Sequence, residues 1–376
     1  MLSDFQDRIR DAATHGQRLR VQGGNTKHFY GDTRAQARVL DTRSWSGIVS
    51  YEPSELVVTV KAGTPLRELE ALLAEHGQCL AFEPPHFGAS ATVGGMVAAG
   101  LSGPSRANVG PVRDHVLGLQ MLNGLGESLT FGGQVMKNVA GYDVSRVMAG
   151  SLGTLGVITA LSLKVLPVAP AEATVQCALS QQAALALLHR WGGQALPLNA
   201  SAWFHDNSTQ PVQDLLFVRL RGAVAAVESA CPRLIDEVKA LGGRAHRMAT
   251  PIAASHWQAN REHTLPFFQA PSMDLCLWRL SLPQTAPELK LPYATFMEWH
   301  GALRWVWAPA AAADELRGAA KALGGHATLF RAAPASSPPQ QPVFHPLPAA
   351  TLRIQRALQQ QFDPSGVFNT GRLGQD

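Results

Sequence analysis

Residues 3–15 carry apolar positions at helical spacing, and Leu19-Arg20-Val21 then reads as a short strand running into the turn Gln22-Gly23-Gly24-Asn25-Thr26-Lys27. Short β-branched runs follow at Ala37–Leu40, Ile48–Tyr51 and Leu56–Val60. Pro65 then opens a helix predicted to last to about His76, since proline is tolerated at a first helical position. Gly118–Asn123 and Ser128–Phe131, joined by Gly124-Leu125-Gly126-Glu127, predict a β-hairpin. After a small-residue segment of helical character to Met148, a long apolar strand, Val157–Leu166, is halted by Pro167. Pro167 and Pro170 mark the predicted domain boundary.

The pattern beyond that boundary differs. Strand Thr174–Leu179, helix Gln181–Trp191, strands Asn199–Phe204 and Leu215–Leu220, helix Ala223–Leu241 and a strand near Ala245 follow the split βαβ-βαβ order of ferredoxin-like folds. Strands Leu275–Leu282, Tyr293–Trp299 and Ala302–Trp307, helix Ala312–Leu323 and strand Ala327–Phe330 predict a second antiparallel sheet with a helix on one face. Residues 333–349 read as a Pro-, Ser- and Ala-rich loop before a last amphipathic helix, Ala350–Phe362. The expected organisation is α+β, with domains at 1–170 and 171–332 and a C-terminal segment at 333–376.

Composition narrows the class. A chain of 376 residues exceeds what one core usually serves, and 46% hydrophobic against 16% charged residues excludes disorder. The formal charge of +4 comes without a Lys/Arg block, so no nucleic-acid footprint is indicated. Cys79, Cys177, Cys231 and Cys276 are too dispersed for an iron–sulfur or zinc site and read as reduced core thiols. The charged start lacks the apolar region of a signal peptide, and no segment has the roughly 18 apolar residues of a membrane span. The expectation is a soluble cytoplasmic protein.

Three glycine-rich segments carry the candidate chemistry, because backbone N–H groups in such turns can hold a pyrophosphate without a run of lysines. They are Gly23-Gly24-Asn25-Thr26-Lys27, Ala89–Gly100 and Gly150–Gly156. In the first, Asn25, Thr26 and Lys27 add side-chain donors; in the second, consecutive N–H groups precede small residues that leave room for a flat ligand. The third adds the Ser151 and Thr154 hydroxyls, with Gly153 and Gly156 leaving space for a nucleotide. Each segment taken alone is also compatible with an ordinary turn or a helix-packing stretch. Gly124-Leu125-Gly126 fails the G-x-G-x-x-G pattern at Leu129 and lies in a hairpin, and there is no P-loop, which disfavours NAD-type Rossmann binding and nucleotide hydrolysis.

The order of these segments resembles the FAD-binding domain of the vanillyl-alcohol oxidase and p-cresol methylhydroxylase (PCMH) superfamily. Leu56–Leu66, Ala91-Thr92-Val93-Gly94-Gly95, Arg113–Gly118 and Gly150–Gly156 look like its signature blocks. Phe362–Arg372 resembles the C-terminal element of its 2-hydroxy-acid branch, while Val135–Arg146 and Gly301–Trp305 are similar to the FAD-binding subunits of bacterial glycolate oxidases. The resemblance implies a two-lobed PCMH-type flavin domain, a ferredoxin-like α+β cap, and a C-terminal helix whose tail returns to the flavin domain.

It further implies FAD contacts from Gly23, Gly24, Asn25, Thr26, Lys27, Thr92, Val93, Gly94, Gly95, Ser102, Gly103, Lys137, Asn138, Asp143, Ser151, Gly153, Thr154, Gly156, Val157, Ile158 and Asn369. Members with covalent flavin often carry a histidine after the paired glycines; here Asn25 stands there, so non-covalent FAD is expected, and His28 reads as an exposed turn residue. The His-rich segment common among 2-hydroxy-acid dehydrogenases of this branch has no counterpart. His256, His263, His300, His326 and His345 show no metal-ligand spacing. Arg279 and Arg304, each on a predicted strand of the second half, are the candidate anchors for a substrate carboxylate.

The implied activity is oxidation of a small 2-hydroxy acid, glycolate to glyoxylate, within a complex. A second flavin-containing subunit and an iron–sulfur subunit are the implied partners, with peripheral attachment at the inner membrane through them. Two other readings stay open: a self-sufficient flavin oxidase or dehydrogenase of another 2-hydroxy acid, and a non-catalytic assembly subunit stabilised by FAD.

Overall fold

The computed structural model describes residues 1–32, 37–133, 143–207, 210–334, 342–368 and 370–374. The chain forms two compact units. The first comprises Met1–Ser102, Gly110–Val168 and Pro342–Asp376; the second comprises Gly103–Val109 and Ala169–Gln341.

In the first unit, α1 (Leu2–Thr14) leads to the parallel pair β1 (Leu19–Gln22) and β2 (Arg38–Asp41). There follow β3 (Ile48–Glu52), β4 (Val57–Lys61), α2 (Leu66–Glu75), β5 (Gln78–Cys79) and α3 (Val93–Ala99). The chain then leaves for the second unit over 103–109, a stretch that holds the short helix α4 (Arg106–Val109). It returns with β6 (Val116–Leu122), β7 (Ser128–Gly132), α5 (Val144–Val147), β8 (Val157–Lys164) and β9 (Leu166–Pro167). Antiparallel pairing gives the order β3-β4-β8-β6-β7, and β8, buried at every position but its last, is the centre of that sheet.

The C-terminal helix Ala349–Phe362 ends at Asp363, a buried carboxylate that accepts from the N–H groups of Val367 and Phe368. Val367 and Phe368 are thereby set into the core of Phe5, Ile9, Leu19, Leu40, Leu122 and Val157, and the Val367 carbonyl accepts from Leu19 N–H. Burying two such side chains contributes roughly 3–6 kcal/mol, enough to hold the tail against the strand that enters the first glycine turn.

The second unit continues with β10 (Ala171–Ala178), α6 (Gln181–Gly192), β11 (Leu198–Asp206), β12 (Gln213–Gly222), α7 (Val224–Ala240) and β13 (Arg244–Arg247). Next come α8 (Thr250–Arg261), β14 (Leu275–Ser281), β15 (Thr295–Glu298), β16 (Leu303–Pro309), α9 (Ala313–Ala322) and β17 (His326–Arg331). The order β13-β10-β12-β11 is that of a ferredoxin-like half. The second antiparallel sheet expected from the sequence is not separate, however. Ala202, Trp203 and Phe204 of β11 pair with Glu298, Met297 and Phe296 of β15, fusing both halves into one eight-stranded sheet. Strand alternation lets Trp203 and Met297 share the apolar cluster beneath α6 and α7, while β14, β16 and β17 pack a second cluster against α9.

Segment 103–109 is held within this unit. Trp299 Nε1 donates to the Gly103 carbonyl, Asn108 Nδ2 donates to the Asn199 carbonyl, and the Arg106 guanidinium lies 4.5 Å from the Trp299 ring centre. Cys177, Cys231 and Cys276 are buried free thiols, and desolvation pushes Cys177 up to about 12. No helix among the described residues is long and apolar enough to cross a membrane.

Candidate functional site: a glycine-lined cleft in the first unit

Two adjoining hollows make one cleft in the first unit. Residues 20–28 form one wall, and Thr92, Gly95, Ala98 and Ala99 of α3 and its N-terminal flank form the opposite one, with Leu152 and Arg372 closing the first hollow. Thr42, Ala62, Gly94, Gly153, Gly156 and Ile158 extend the cleft toward β8.

The first glycine turn can bend as it does because Asn25 adopts the left-handed conformation, φ 59°, in which asparagine is among the few tolerated side chains. No β-carbon would fit at Gly24: it would overlap the Ser90 carbonyl, while at Gly23 it would overlap the Thr92 hydroxyl. Ser90 Oγ in turn donates to the Gly24 carbonyl. Among the described residues no acceptor takes the N–H groups of Gly24, Asn25 or Thr26. Consecutive N–H groups left in this way suit an anion.

The second glycine segment behaves differently from expectation. Its amides are engaged within the protein: Val93 N–H on the Thr64 carbonyl, Gly94 N–H on the Ala62 carbonyl, Gly95 N–H on Thr92 Oγ1. Thr92 is the N-cap of α3, and the segment supplies space rather than donors. Gly94 allows α3 to press on β4, since a β-carbon there would stand 2.7 Å from that of Ala62. Gly95 opens onto the cleft, where a β-carbon would meet only Thr92 Oγ1.

In the third segment the Thr154 hydroxyl donates to the Ser151 carbonyl, so it is not turned to a ligand, whereas Ser151 Oγ is buried with no hydrogen-bond partner. Gly153, φ 77°, and Gly156, φ 145°, are both in conformations that L side chains rarely adopt, and both line the cleft.

The sequence shows no basic block, yet folding assembles one. Arg20 and Lys27, both in the wall 20–28, meet Arg372 from the far end of the sequence on the cleft. Lys27 is buried and its Nζ donates to the His86 carbonyl, 3.1 Å. The Arg372 guanidinium donates to the carbonyls of Lys27, His28 and Tyr30, and burial followed by Arg20 lowers its pKa only to about 10, so it stays charged. His28 is not the exposed turn residue expected: it is half-buried on the cleft wall, 3.0 Å from Arg20 Nη1. Burial, then Arg20 and Arg372, lowers its pKa, so the ring is neutral at neutral pH. Three fixed cations and a row of N–H groups fit a pyrophosphate with two negative charges.

Other expected contacts fall elsewhere. Ser102 Oγ accepts from Val112 N–H, and Asp143 caps α5 through Arg146 N–H while pairing with the Arg146 guanidinium. Val157 is fully buried in β8, and the Gly103 carbonyl belongs to the second unit. Lys137, Asn138 and Asn369 lie outside the described residues. Of the cleft residues, Arg20, Gln22, Thr42, Ala62, Ala98, Leu152 and Arg372 escaped sequence reasoning. Gln22, Ala62, Ala98, Leu152 and Arg372 lie inside stretches already singled out, and that was the signal that could have found them.

The candidate anchors on the cap sheet lie on opposite faces, because Arg279 pairs with Trp305 while Arg304 pairs with Leu280. Arg304 is fully buried, and its guanidinium is engaged by the carbonyls of Gly301, Pro287 and Ala286. That makes it a structural residue and corrects the expectation of a substrate anchor there. Arg279 is half-buried, 5.2 Å from the Trp299 ring centre and 6.0 Å from that of Trp305.

Fold and cleft together define a flavoprotein of the PCMH-type class, and residues 2–146 match the FAD binding domain family. Over 367 residues the chain is 42% identical to glycolate oxidase subunit GlcE of Escherichia coli (strain K12), covering 98% of this chain and 95% of that protein. The chain belongs to the GlcE family of glycolate oxidase subunits. Shorter similarities extend to a D-lactate dehydrogenase of Archaeoglobus fulgidus, 39% identical across 39% of this chain and 33% of that protein. Glycolate oxidase subunit GlcD of Bacillus subtilis is 32% identical across 34% of this chain and 27% of its own length. Among solved structures, an alkyldihydroxyacetonephosphate synthase superposes with a TM-score of 0.66 at 14% identity, covering 96% of this chain and 73% of that one; it shares the fold.

Proposed function

We propose that this chain is the FAD-binding subunit of a complex that oxidises glycolate to glyoxylate. The identity to GlcE over nearly the whole of both chains carries the reading, and the fit of the cleft to a dinucleotide supports it. FAD, when bound, supplies the two-electron acceptor that this oxidation needs.

The residues of the chain have distinct tasks in this reading. The Gly24–Thr26 amides with Lys27 and Arg20 hold the pyrophosphate; Arg372 holds the turn in shape; Gly95, Gly153 and Gly156 leave room for the rest of the cofactor. Asn25 offers no imidazole for a covalent link, so the cofactor is held by contacts alone. Arg279 is the proposed anchor for a substrate carboxylate, through the charge of its guanidinium. Electrons pass to a second flavin-containing subunit and an iron–sulfur subunit, and the assembly attaches to the inner membrane on its cytoplasmic side through those partners.

The test is glycolate-dependent dye reduction by the purified, FAD-loaded chain, repeated after adding the other products of its operon. Turnover is expected only in the mixture. Equal rates from the chain alone would replace this reading with that of a self-sufficient dehydrogenase.

A further inference from the structure

Between α3 and β6 the chain leaves the first unit for the short excursion Gly103–Val109 and then returns. The excursion brings the second unit one charged side chain, Arg106, which is half-buried. Its guanidinium lies 4.5 Å from the centre of the Trp299 ring, and the guanidinium of Arg279, from β14, lies 5.2 Å from the same centre. Both distances are within the reach of a cation–π contact. The two charges stand no farther apart than those distances laid end to end, less than the Debye length of about 10 Å at 0.1 M salt, so each feels the other. Arg279 reaches the ring from the sheet face opposite α9: Trp278, Leu280 and Val306 pack beneath that helix, and Arg279 and its cross-strand partner Trp305 alternate with them. Trp305 is itself fixed, because its Nε1 donates to the buried Glu298 carboxylate.

Trp299 is set in this place by a backbone that bulky side chains rarely adopt: φ is 52° at Trp299, 56° at His300 and 97° at Gly301. Two successive non-glycine residues in the left-handed region persist only where their surroundings over-determine them, and such strain clusters at ligand sites. Here His300 N–H donates to Ser201 Oγ, and Asn108 Nδ2 donates both to His300 Nε2 and to the Asn199 carbonyl. Trp299 Nε1 donates to the Gly103 carbonyl at the start of the excursion. The strained turn thus holds one buried indole against the excursion on one side and β14 on the other.

We propose that Arg106 and Arg279 together anchor the substrate carboxylate, with Trp299 as the positioning residue that carries both guanidiniums. This rests on the glycolate-oxidising reading and adds to it a second arginine and the residue that orients the pair. Two like charges brought to one ring repel each other, and a carboxylate that reaches both replaces the repulsion with two charge-assisted contacts. Each guanidinium offers a planar fork that matches a carboxylate, whereas a neutral ligand gains nothing from the pair. All three residues belong to the second unit, apart from the cofactor cleft of the first, so substitutions here should leave flavin content alone.

The test titrates glycolate, and glycolamide as the same shape without the charge, into the FAD-loaded full chain by anaerobic saturation-transfer NMR. Glycolate is expected to bind saturably and about ten-fold or more tighter than glycolamide. That comparison needs no variant, so it stands even where a substitution disturbs folding. Arg106→Met and Arg279→Met should each weaken glycolate about ten-fold or more, with glycolamide and flavin content unchanged. In the complex, Arg106→Met should raise KM for glycolate about ten-fold with little change in kcat. Trp299→Phe, which keeps a ring for the guanidiniums, should stay within about three-fold of the parent affinity, where Trp299→Leu loses about ten-fold. If the complex turns over glycolate while the parent chain binds it no better than glycolamide, or while Arg106→Met keeps the parent affinity and KM, the inference falls and the glycolate-oxidising reading stands. Equal losses in Trp299→Phe and Trp299→Leu overturn the positioning role. If the complex does not turn over glycolate, reading and inference fall together.

Discussion

The guanidinium of Arg372 donates two hydrogen bonds, of 3.2 and 2.9 Å, to the carbonyl of Tyr30, 342 positions earlier in the chain. Its Nη2 also reaches the carbonyls of Lys27 and His28, and the Arg372 carbonyl accepts from Asp32 N–H. The first glycine turn is thus closed by the last few residues of the protein. A turn whose amides must face an anion has to be held from behind, because its own N–H groups are reserved for the ligand.

Arg372→Met should therefore loosen the turn and cost FAD retention without unfolding the protein. Removing charge-assisted bonds to main-chain carbonyls costs about 1.5–3 kcal/mol, or roughly ten- to a hundred-fold in cofactor affinity if the loss falls on the bound conformation. Flavin per chain after gel filtration, beside a circular dichroism spectrum, gives the answer. Full flavin content in a folded Arg372→Met protein would show that the tail has no part in holding the cofactor.

Gly95→Val and Gly24→Ala should fail differently. A β-carbon at Gly95 meets only Thr92 Oγ1, so valine adds its bulk to the cleft and the variant should fold with little FAD. At Gly24 a β-carbon runs into the Ser90 main chain, which cannot move aside as a flexible side chain would, so alanine there should lower the melting temperature as well. Identical flavin content in Gly95→Val and the parent would mean that the cofactor does not pass this wall.

Acid precipitation should release all the flavin into the supernatant, because Asn25 stands where a histidine would have to attack. Yellow colour that stays with the washed pellet would show a covalent link and would send the search to other nucleophiles, His28 on the cleft wall first.

What the sequence revealed and what it hid follow from the range over which each interaction acts. Helix α1, strand β8 and the ferredoxin-like half were legible because periodicity and Gly/Pro punctuation are local signals. The cationic cluster was not, since Arg372 joins Arg20 and Lys27 only through the tail's return. The fusion of the two halves of the cap sheet depends on pairing between β11 and β15, nearly a hundred positions apart, and alternation cannot announce it. Helix α8 was passed over for another reason: it turns His256 and Asn260 inward, where an amphipathic pattern would place apolar residues. The opposite facing of Arg279 and Arg304 required only the register, because an odd number of steps separates partners on the two sides.

Three histidines of the second unit, His263 and His300 buried and His256 partly so, should make the protein sensitive to acid. Desolvation lowers His256 and His300 to about 4, and His263 falls well below its ordinary value through burial and then Arg331 and Arg279. Above pH 6.5 each ring is neutral in folded and unfolded chains alike and contributes nothing to the pH dependence. As pH falls below 6.5 the unfolded chain takes up protons that the folded chain refuses, so stability declines toward pH 4, by on the order of 3 kcal/mol for each of His256 and His300 at the end of that interval. Asp41 and Glu228, held low by Arg43 and Arg247, lose their contribution only as pH passes below the ordinary carboxylate range. The interval from 6.5 to 4.5 therefore isolates the histidines. Urea midpoints should fall steadily across it, and His256→Phe should fall less steeply because one proton-binding site is gone from the unfolded chain. Midpoints that hold level or rise between pH 6.5 and 4.5 would mean that these rings are solvated and that the core over α8 is open to water.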